Sequence, residues 1–250
     1  MRILLTNDDG IQALGLRALY HALRKAGHEV FVAAPVQEQS AVGHAITFLT
    51  PLRVVEFKED GFQGLGVTGT PADCVKLGLT TLIKPVPDLV LSGINKGANV
   101  GVDIVYSGTV SAATEGALMG FPAMAVSVDD FQPTNLTVQA GYATDLLSRI
   151  PWDKVPEKTL LNLNFPVGDF GECKGLKVCP HTRAAYRDWY EERQDPRGRP
   201  YYWLDGLIPQ ENIRPGTDRA LLTEGWATLT PLRFDFNDRS TLDMLSGLGI

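Results

Sequence analysis

Ile3-Leu4-Leu5-Thr6-Asn7-Asp8-Asp9-Gly10 opens the chain with an apolar run that ends in turn chemistry. Ile3-Leu4-Leu5 reads as a short buried strand, and Asn7-Asp8-Asp9-Gly10 as the turn that leaves it. Two adjacent carboxylates are thereby delivered at the carboxyl end of a first strand, the edge of an open α/β sheet where ligands bind. Adjacent like charges repel unless a cation lies between them or water screens them. Hard oxygen ligands on a turn suit Mg²⁺ or Mn²⁺. The plainer alternative is an Asx turn with two solvated acids, and residues further along the chain must decide between them.

Outward from that stretch, strand and helix signals alternate. Leu16, Leu19, Tyr20, Leu23 and Ala26 recur at helical spacing, and Gly27 stops the helix. Residues 30–34 form a second buried strand ended by Pro35, and residues 52–68 read as strands or a hairpin. Thr70-Pro71-Ala72-Asp73 combines a capping hydroxyl, proline at the first helical position and an acid in the first turn, which predicts a helix to about Ile83. Residues 88–92 are a strand, and Gly93-Ile94-Asn95 leads off its end. A glycine-rich loop from Gly97 to Gly108 and an Ala-rich helix over 109–119 follow. A strand over 123–128, a helix over 135–149 and a strand over 160–165 closed by Pro166 complete the pattern.

Repeated strand–helix–strand units predict an α/β fold: a Rossmann-like, mostly parallel sheet with helices on both faces. Residues 1–170 are expected to be its catalytic core. Residues 171–250 are expected to be a C-terminal hairpin and tail region used in oligomerisation, within one functional domain. The segment 181–205 mixes Arg with Tyr and Trp, a combination that can stack on nucleic acid. Its five arginines are matched by Asp188, Glu191, Glu192, Asp195 and Asp205, so no basic patch survives. A hairpin arm, packed on a partner subunit or lipping the active site, fits better. Residues 226–232 alternate as a late strand, and 240–248 form a short terminal helix.

Composition narrows the function classes. With 250 residues, 44% of them hydrophobic, the chain can bury a large core. A net charge of −6 argues against a nucleic-acid polymer or an anionic membrane as partner, but leaves a local anion pocket open. Cys74, Cys173 and Cys179 are an odd number without metal-finger spacing, which points to a reducing compartment. Met1-Arg2 leads straight into a strand, without a signal-peptide pattern, and no apolar run reaches the roughly 20 residues of a membrane span. A cytoplasmic location is expected.

Polar residues gather at strand ends on one edge of the predicted sheet. Asp8 and Asp9 follow the first strand, Ser40 lies in the loop after the second, and Asn95 follows the strand over 88–92. Together they form an all-oxygen set for a hard divalent ion, although Ser40 or Asn95 alone would be an ordinary loop residue. Ser107-Gly108-Thr109 offers hydroxyls, free N–H groups and a helix start, which bind phosphate without net basic charge. An ordinary Ser cap beside a flexible Gly is its plainer alternative. Gly43, His44 and Asn99 are candidate substrate contacts; His44 either points to the site or closes its loop. The Walker pattern, the dinucleotide glycine pattern after the first strand and the Gly-x-Ser-x-Gly elbow are all missing, so P-loop, dinucleotide and serine-hydrolase chemistry lose support.

With those residues assembled, the chain resembles the survival protein SurE family of metal-dependent nucleotidases. The resemblance is carried by residues 1–10, by Ala34-Pro35 through Ser40, and by Gly66 through Val75. It continues in Pro87 through Asn95, Tyr106-Ser107-Gly108-Thr109-Val110, Asn162 through Pro166 and Thr228 through Leu232, so that it runs in order along nearly the whole chain. It implies one divalent ion per subunit, Mg²⁺ or Mn²⁺, at Asp8, Asp9, Ser40 and Asn95, and phosphate at Ser107, Gly108, Thr109 and Asn95. It also implies hydrolysis of nucleoside 5′- and 3′-monophosphates, with short polyphosphate as a further substrate, and a homodimer or homotetramer that exchanges hairpins and tails. Asp8 or Asp9 would activate the attacking water. One departure is Val36-Gln37, where the family often has Asp-Arg, so an arginine contribution to the substrate does not carry over. Two competing readings are a phosphatase with Asp8 as covalent nucleophile and a non-catalytic nucleotide-binding module. The first usually carries Asp-x-Asp, which is not the spacing here.

Overall fold

A computed structural model of the chain describes residues 1–59, 61–168 and 170–248. The opening apolar run is β1 (Arg2–Thr6), paired in parallel with β2 (Glu29–Pro35) after α1 (Leu14–Lys25). Ile3 and Leu5 pack into the cluster beneath α1, whereas Leu4 packs into the cluster on the opposite face. Alternate residues of a strand point to opposite faces, so an uninterrupted apolar run marks a strand covered on both sides.

The stretch 52–68 is an antiparallel hairpin, β3 (Val54–Glu59) and β4 (Phe62–Val67), with β4 parallel to β2. α2 (Pro71–Leu77) starts at a full capping box: the Thr70 hydroxyl accepts from the Asp73 N–H at 3.1 Å, and the Asp73 carboxylate accepts from the Thr70 N–H at 2.9 Å. It reaches Ile83 as expected, but the last turn, Gly78–Leu82, widens into a π-helical turn.

The chain then crosses to the other side of β1 and forms β5 (Leu89–Lys96), so the strand order reverses at the β1–β5 border. Such a switch point opens a crevice at the carboxyl ends of the strands. β5 runs further than its sequence pattern implies: pairing with β6 (Ala123–Val128) slips after Ser92 and resumes at Asn95 with Ser127. Asn95 therefore lies on the strand rather than beyond it. The glycine-rich loop contains one helical turn, α3 (Asp103–Tyr106), before α4 (Gly108–Leu118). α5 (Thr137–Arg149) and β7 (Thr159–Phe165) complete the parallel set.

The remainder closes the far edge. β8 (Leu176–Val178) and β11 (Ala227–Arg233) join the same sheet, β11 antiparallel to β7 and parallel to β8. The sheet order is β3-β4-β2-β1-β5-β6-β7-β11-β8. Between β8 and β11 in sequence, β9 (Arg187–Gln194) and β10 (Pro200–Leu207) form a separate two-stranded arm, followed by the short α6 (Asp218–Thr223). α7 (Arg239–Ser246) ends the described chain. Neither β8 nor α6 is signalled by periodicity, because each is too short to show it. No helix among the described residues is long and apolar enough to cross a membrane.

Candidate active site

Asp8 lies at the β1 carboxyl edge, 5% exposed, with the start of α4 aimed at it. The Thr109 hydroxyl donates to Asp8 Oδ1, and the Thr109 backbone N–H also serves that carboxylate. A Cβ on Gly108 would stand 2.9 Å from Asp8 Oδ2, so only glycine allows helix and carboxylate to come this close. Burial raises the Asp8 pKa from the usual 3.8 to about 6, with the Thr109 hydrogen bond opposing that shift and the neighbouring Asp9 charge adding to it.

Asp9 turns towards β5. Its Oδ2 accepts from the Lys96 N–H at 3.2 Å, the peptide group directly after Asn95. The acid pair thus lies against the end of β5, one peptide group from Asn95. Burial raises the Asp9 pKa too, against the pull of Lys96. The Lys96 ammonium lies 3.6 Å from Asp9 Oδ1 and 2.9 Å from Glu38 Oε2. Ser40 is exposed and donates to Glu38 Oε1 at 2.6 Å, so it reaches Asp9 through Glu38 and Lys96 rather than directly. The Asn95 Nδ2 donates to the Gly97 carbonyl at 2.7 Å, which leaves the carboxamide oxygen as its remaining acceptor.

The other candidates divide. The Ser107 hydroxyl accepts from the Val110 N–H at 3.0 Å and caps α4, leaving Gly108 and Thr109 to present the helix start. The Gly43 N–H bonds the Tyr106 carbonyl at 3.0 Å, tying the Ser40 loop to the residue before that cap. His44 reaches Glu115 on α4, Nε2 to Oε2 at 2.8 Å, and Lys76 of α2 pairs with the same carboxylate at 2.5 Å. The His44 contact first, and then Lys76, hold Glu115 below the usual carboxylate range. Beside His44 opens a cavity of about 650 Å³, bordered by Val105, Val110, Ser111, Thr114, Phe234 and Phe236. Asn99 faces inward: its N–H bonds Asn164 Oδ1 and its Nδ2 bonds Ser127 Oγ, both at 2.8 Å, while its carbonyl accepts from Asn162. In this structure it anchors the loop to β6 and β7.

Several residues of the site carried no sequence signal strong enough to single them out. Lys96 is a lone cation beside Asn95, and Glu38 sits in a loop valued for its serine. Asp218 is fully buried, and accepts from the Gly101 N–H at 2.9 Å and from the Thr182 N–H at 2.7 Å. Arg219 pairs with Asp103 and donates to the Val100 carbonyl at 3.3 Å. The first turn of α6 therefore clasps the strap 100–103, which delivers Ser107, Gly108 and Thr109. Gly101, at φ +59°, fits only without a side chain, since a Cβ would lie 2.4 Å from Thr182 Cγ2.

The donor set tests whether a metal ion fits. Two carboxylates that burial strains towards protonation, an amide oxygen and a nearby hydroxyl match a hard divalent ion that keeps some of its waters. Among the described residues no cluster of three His, Cys, Asp or Glu side chains offers an alternative centre.

The family model described as "Survival protein SurE" matches residues 3–188. The chain is 65% identical over 245 residues to a protein of Maridesulfovibrio salexigens named 5′-nucleotidase SurE, covering 98% of each chain. It is 62% identical to the like-named protein of Nitratidesulfovibrio vulgaris Miyazaki F, covering 98% of this chain and 91% of that one. The crystal structure of the SurE protein from Aquifex aeolicus superposes with a TM-score of 0.85 at 36% identity over the whole of both chains.

Proposed function

The chain belongs to the survival protein SurE family, and from that premise we propose that it is a phosphoric monoester hydrolase, a metal-dependent 5′-nucleotidase. One observation carries the proposal: the buried carboxylate of Asp8 is bonded to Thr109 at the start of α4 while its neighbour Asp9 touches the end of β5. An ion site and an anion site thus share one wall.

Asp8, Asp9 and Asn95 would hold the divalent ion, Mg²⁺ or Mn²⁺, one per subunit, with Ser40 brought in from its loop. When bound, such an ion supplies Lewis acidity towards a phosphoryl oxygen and lowers the pKa of water. With the Asp8 oxygens taken up by an ion, the Thr109 donors that now serve that carboxylate would be free, and with the Gly108 N–H and the helix start they are those an equatorial phosphoryl oxygen needs as charge develops there. Ser107 keeps that turn in shape. A carboxylate of the acid pair orients the attacking water. The cavity beside His44 has room for a nucleoside, which makes Gly43 and His44 the substrate contacts we favour; Asn99 would act by holding the loop. Activity on 3′-monophosphates and short polyphosphate belongs to the same proposal.

Phosphate release from nucleoside 5′- and 3′-monophosphates and polyphosphate, with Mg²⁺, Mn²⁺, Zn²⁺ or EDTA, tests it. Release with a divalent ion and none in EDTA is expected, and silence with every ion would overturn the proposal. Asp9→Ala should lower turnover by about a hundredfold or more while leaving the melting temperature close to that of the native chain. Near-normal turnover in that variant would remove Asp9 from the ion site. The unpaired cysteines suit a reducing compartment, and we place the enzyme in the cytoplasm.

A further inference from the structure

Lys96 stands between two roles. Its backbone is the last residue of β5 and is pinned to Asp9 through its own N–H, so the root of the side chain is fixed at the rim of the site. The side chain itself is 40% exposed and ends in an ammonium shared between Asp9 Oδ1 and Glu38 Oε2. Among the described residues no other lysine, arginine or histidine forms an ion pair with Asp8 or Asp9. Glu38 is held by the Ser40 hydroxyl as well, so it forms a fixed acceptor outside the acid pair. A half-exposed ion pair of this kind adds little to the stability of a fold. Its place, beside the oxygens that suit a divalent ion and the helix start that suits phosphate, gives it another use.

We propose that Lys96 is an exchangeable counter-charge: it neutralises Asp9 while the ion site is free, and moves to the phosphoryl group when ion and phosphomonoester bind. Like charges repel, so a divalent ion on Asp9 weakens the ammonium's hold there. A phosphate dianion offers that ammonium a stronger partner, and a flexible four-carbon stem lets it follow. Glu38 keeps the ammonium near the rim during the exchange. Lys96 acquires this second duty only if the site hydrolyses phosphomonoesters, as proposed above.

Two effects of opposite sign follow for Lys96→Met, and loss of folding cannot produce both, because it weakens every ligand alike. By titration calorimetry with Mn²⁺ alone, the variant should bind the ion about threefold more tightly than the native chain, because a competing cation is gone. With Mn²⁺ present, KM for a nucleoside monophosphate and the inhibition constant of inorganic phosphate should both weaken about tenfold. Lys96→Arg should restore both towards native values. Unchanged or weaker Mn²⁺ binding in Lys96→Met, or unchanged phosphate inhibition, overturns the exchange. Native protein that takes up Mn²⁺ but releases no phosphate overturns the nucleotidase assignment instead, so the two failures are distinct.

Discussion

Asp8 concentrates the energetics of the site in one side chain. Its carboxyl is buried and its folded pKa of about 6 lies above the usual 3.8. A group raised on folding favours the folded state below its unfolded pKa, and that contribution is lost as pH climbs through the folded value. The difference corresponds to roughly 3 kcal/mol, withdrawn between about pH 4 and pH 6 in the ion-free protein. Asp8→Asn keeps an acceptor for Thr109 but cannot ionise. Stripped of metal ions at pH 8, it should melt roughly 5 °C above the native chain, with the gap closing towards pH 4. Equal melting temperatures at pH 8 would mean that Asp8 is not held in the strained, ionised form. Because a proton and a cation compete for the same oxygens, divalent affinity of the native chain should also fall below about pH 6.

At the scale of elements, the strap 100–103 is the part whose position the site depends on most. α4 itself is rigid, since all its residues but Leu118 are buried, but the approach to its first turn is irregular backbone. That backbone is fastened from a distance by α6, through Asp218 on Gly101 and Arg219 on Asp103. Asp218→Asn puts an amide where a carboxylate oxygen met an N–H, so one buried donor loses its partner. KM for the monophosphate should rise and kcat fall, together about tenfold in kcat/KM, with the Mn²⁺ dissociation constant within about twofold of native. The Gly101 amide should exchange its hydrogen faster. A variant that lost Mn²⁺ affinity in parallel would show that the clasp supports the whole rim and not the phosphate strap.

Over the whole molecule, the apolar surface is uneven. The arm exposes Tyr190, Tyr202, Trp203 and Leu204, each more than half accessible, and α7 exposes Leu242 and Met244 similarly. A two-stranded arm standing off the sheet gains little from its own core, and such a patch marks a contact surface. We expect a second copy of the chain to cover it, as a homodimer or homotetramer. Light scattering should give a mass at least twice that of one chain. Trp203→Glu combined with Leu204→Glu should lower it to that of a single chain, and a native protein that is monomeric at micromolar concentration would sink the expectation.

The alternating strands and helices of the parallel sheet, the capped start of α2, and the delivery of Asp8, Asp9 and Ser107-Gly108-Thr109 to strand and helix ends are legible in the chain alone. These depend on local rules: a side-chain period of two or 3.6, the φ of proline and glycine, and hydroxyls that satisfy free N–H groups. The slip that put Asn95 on β5, the inward turn of Asn99, the placing of the Lys96 ammonium and the clasp of Asp218 arise only when the layers pack. Lys96 meets Glu38 across 58 residues, and Gly101 meets Asp218 across 117. Bonds of that separation are selected by which surfaces the packed layers bring within about 3 Å, and no local pattern in the chain encodes that distance.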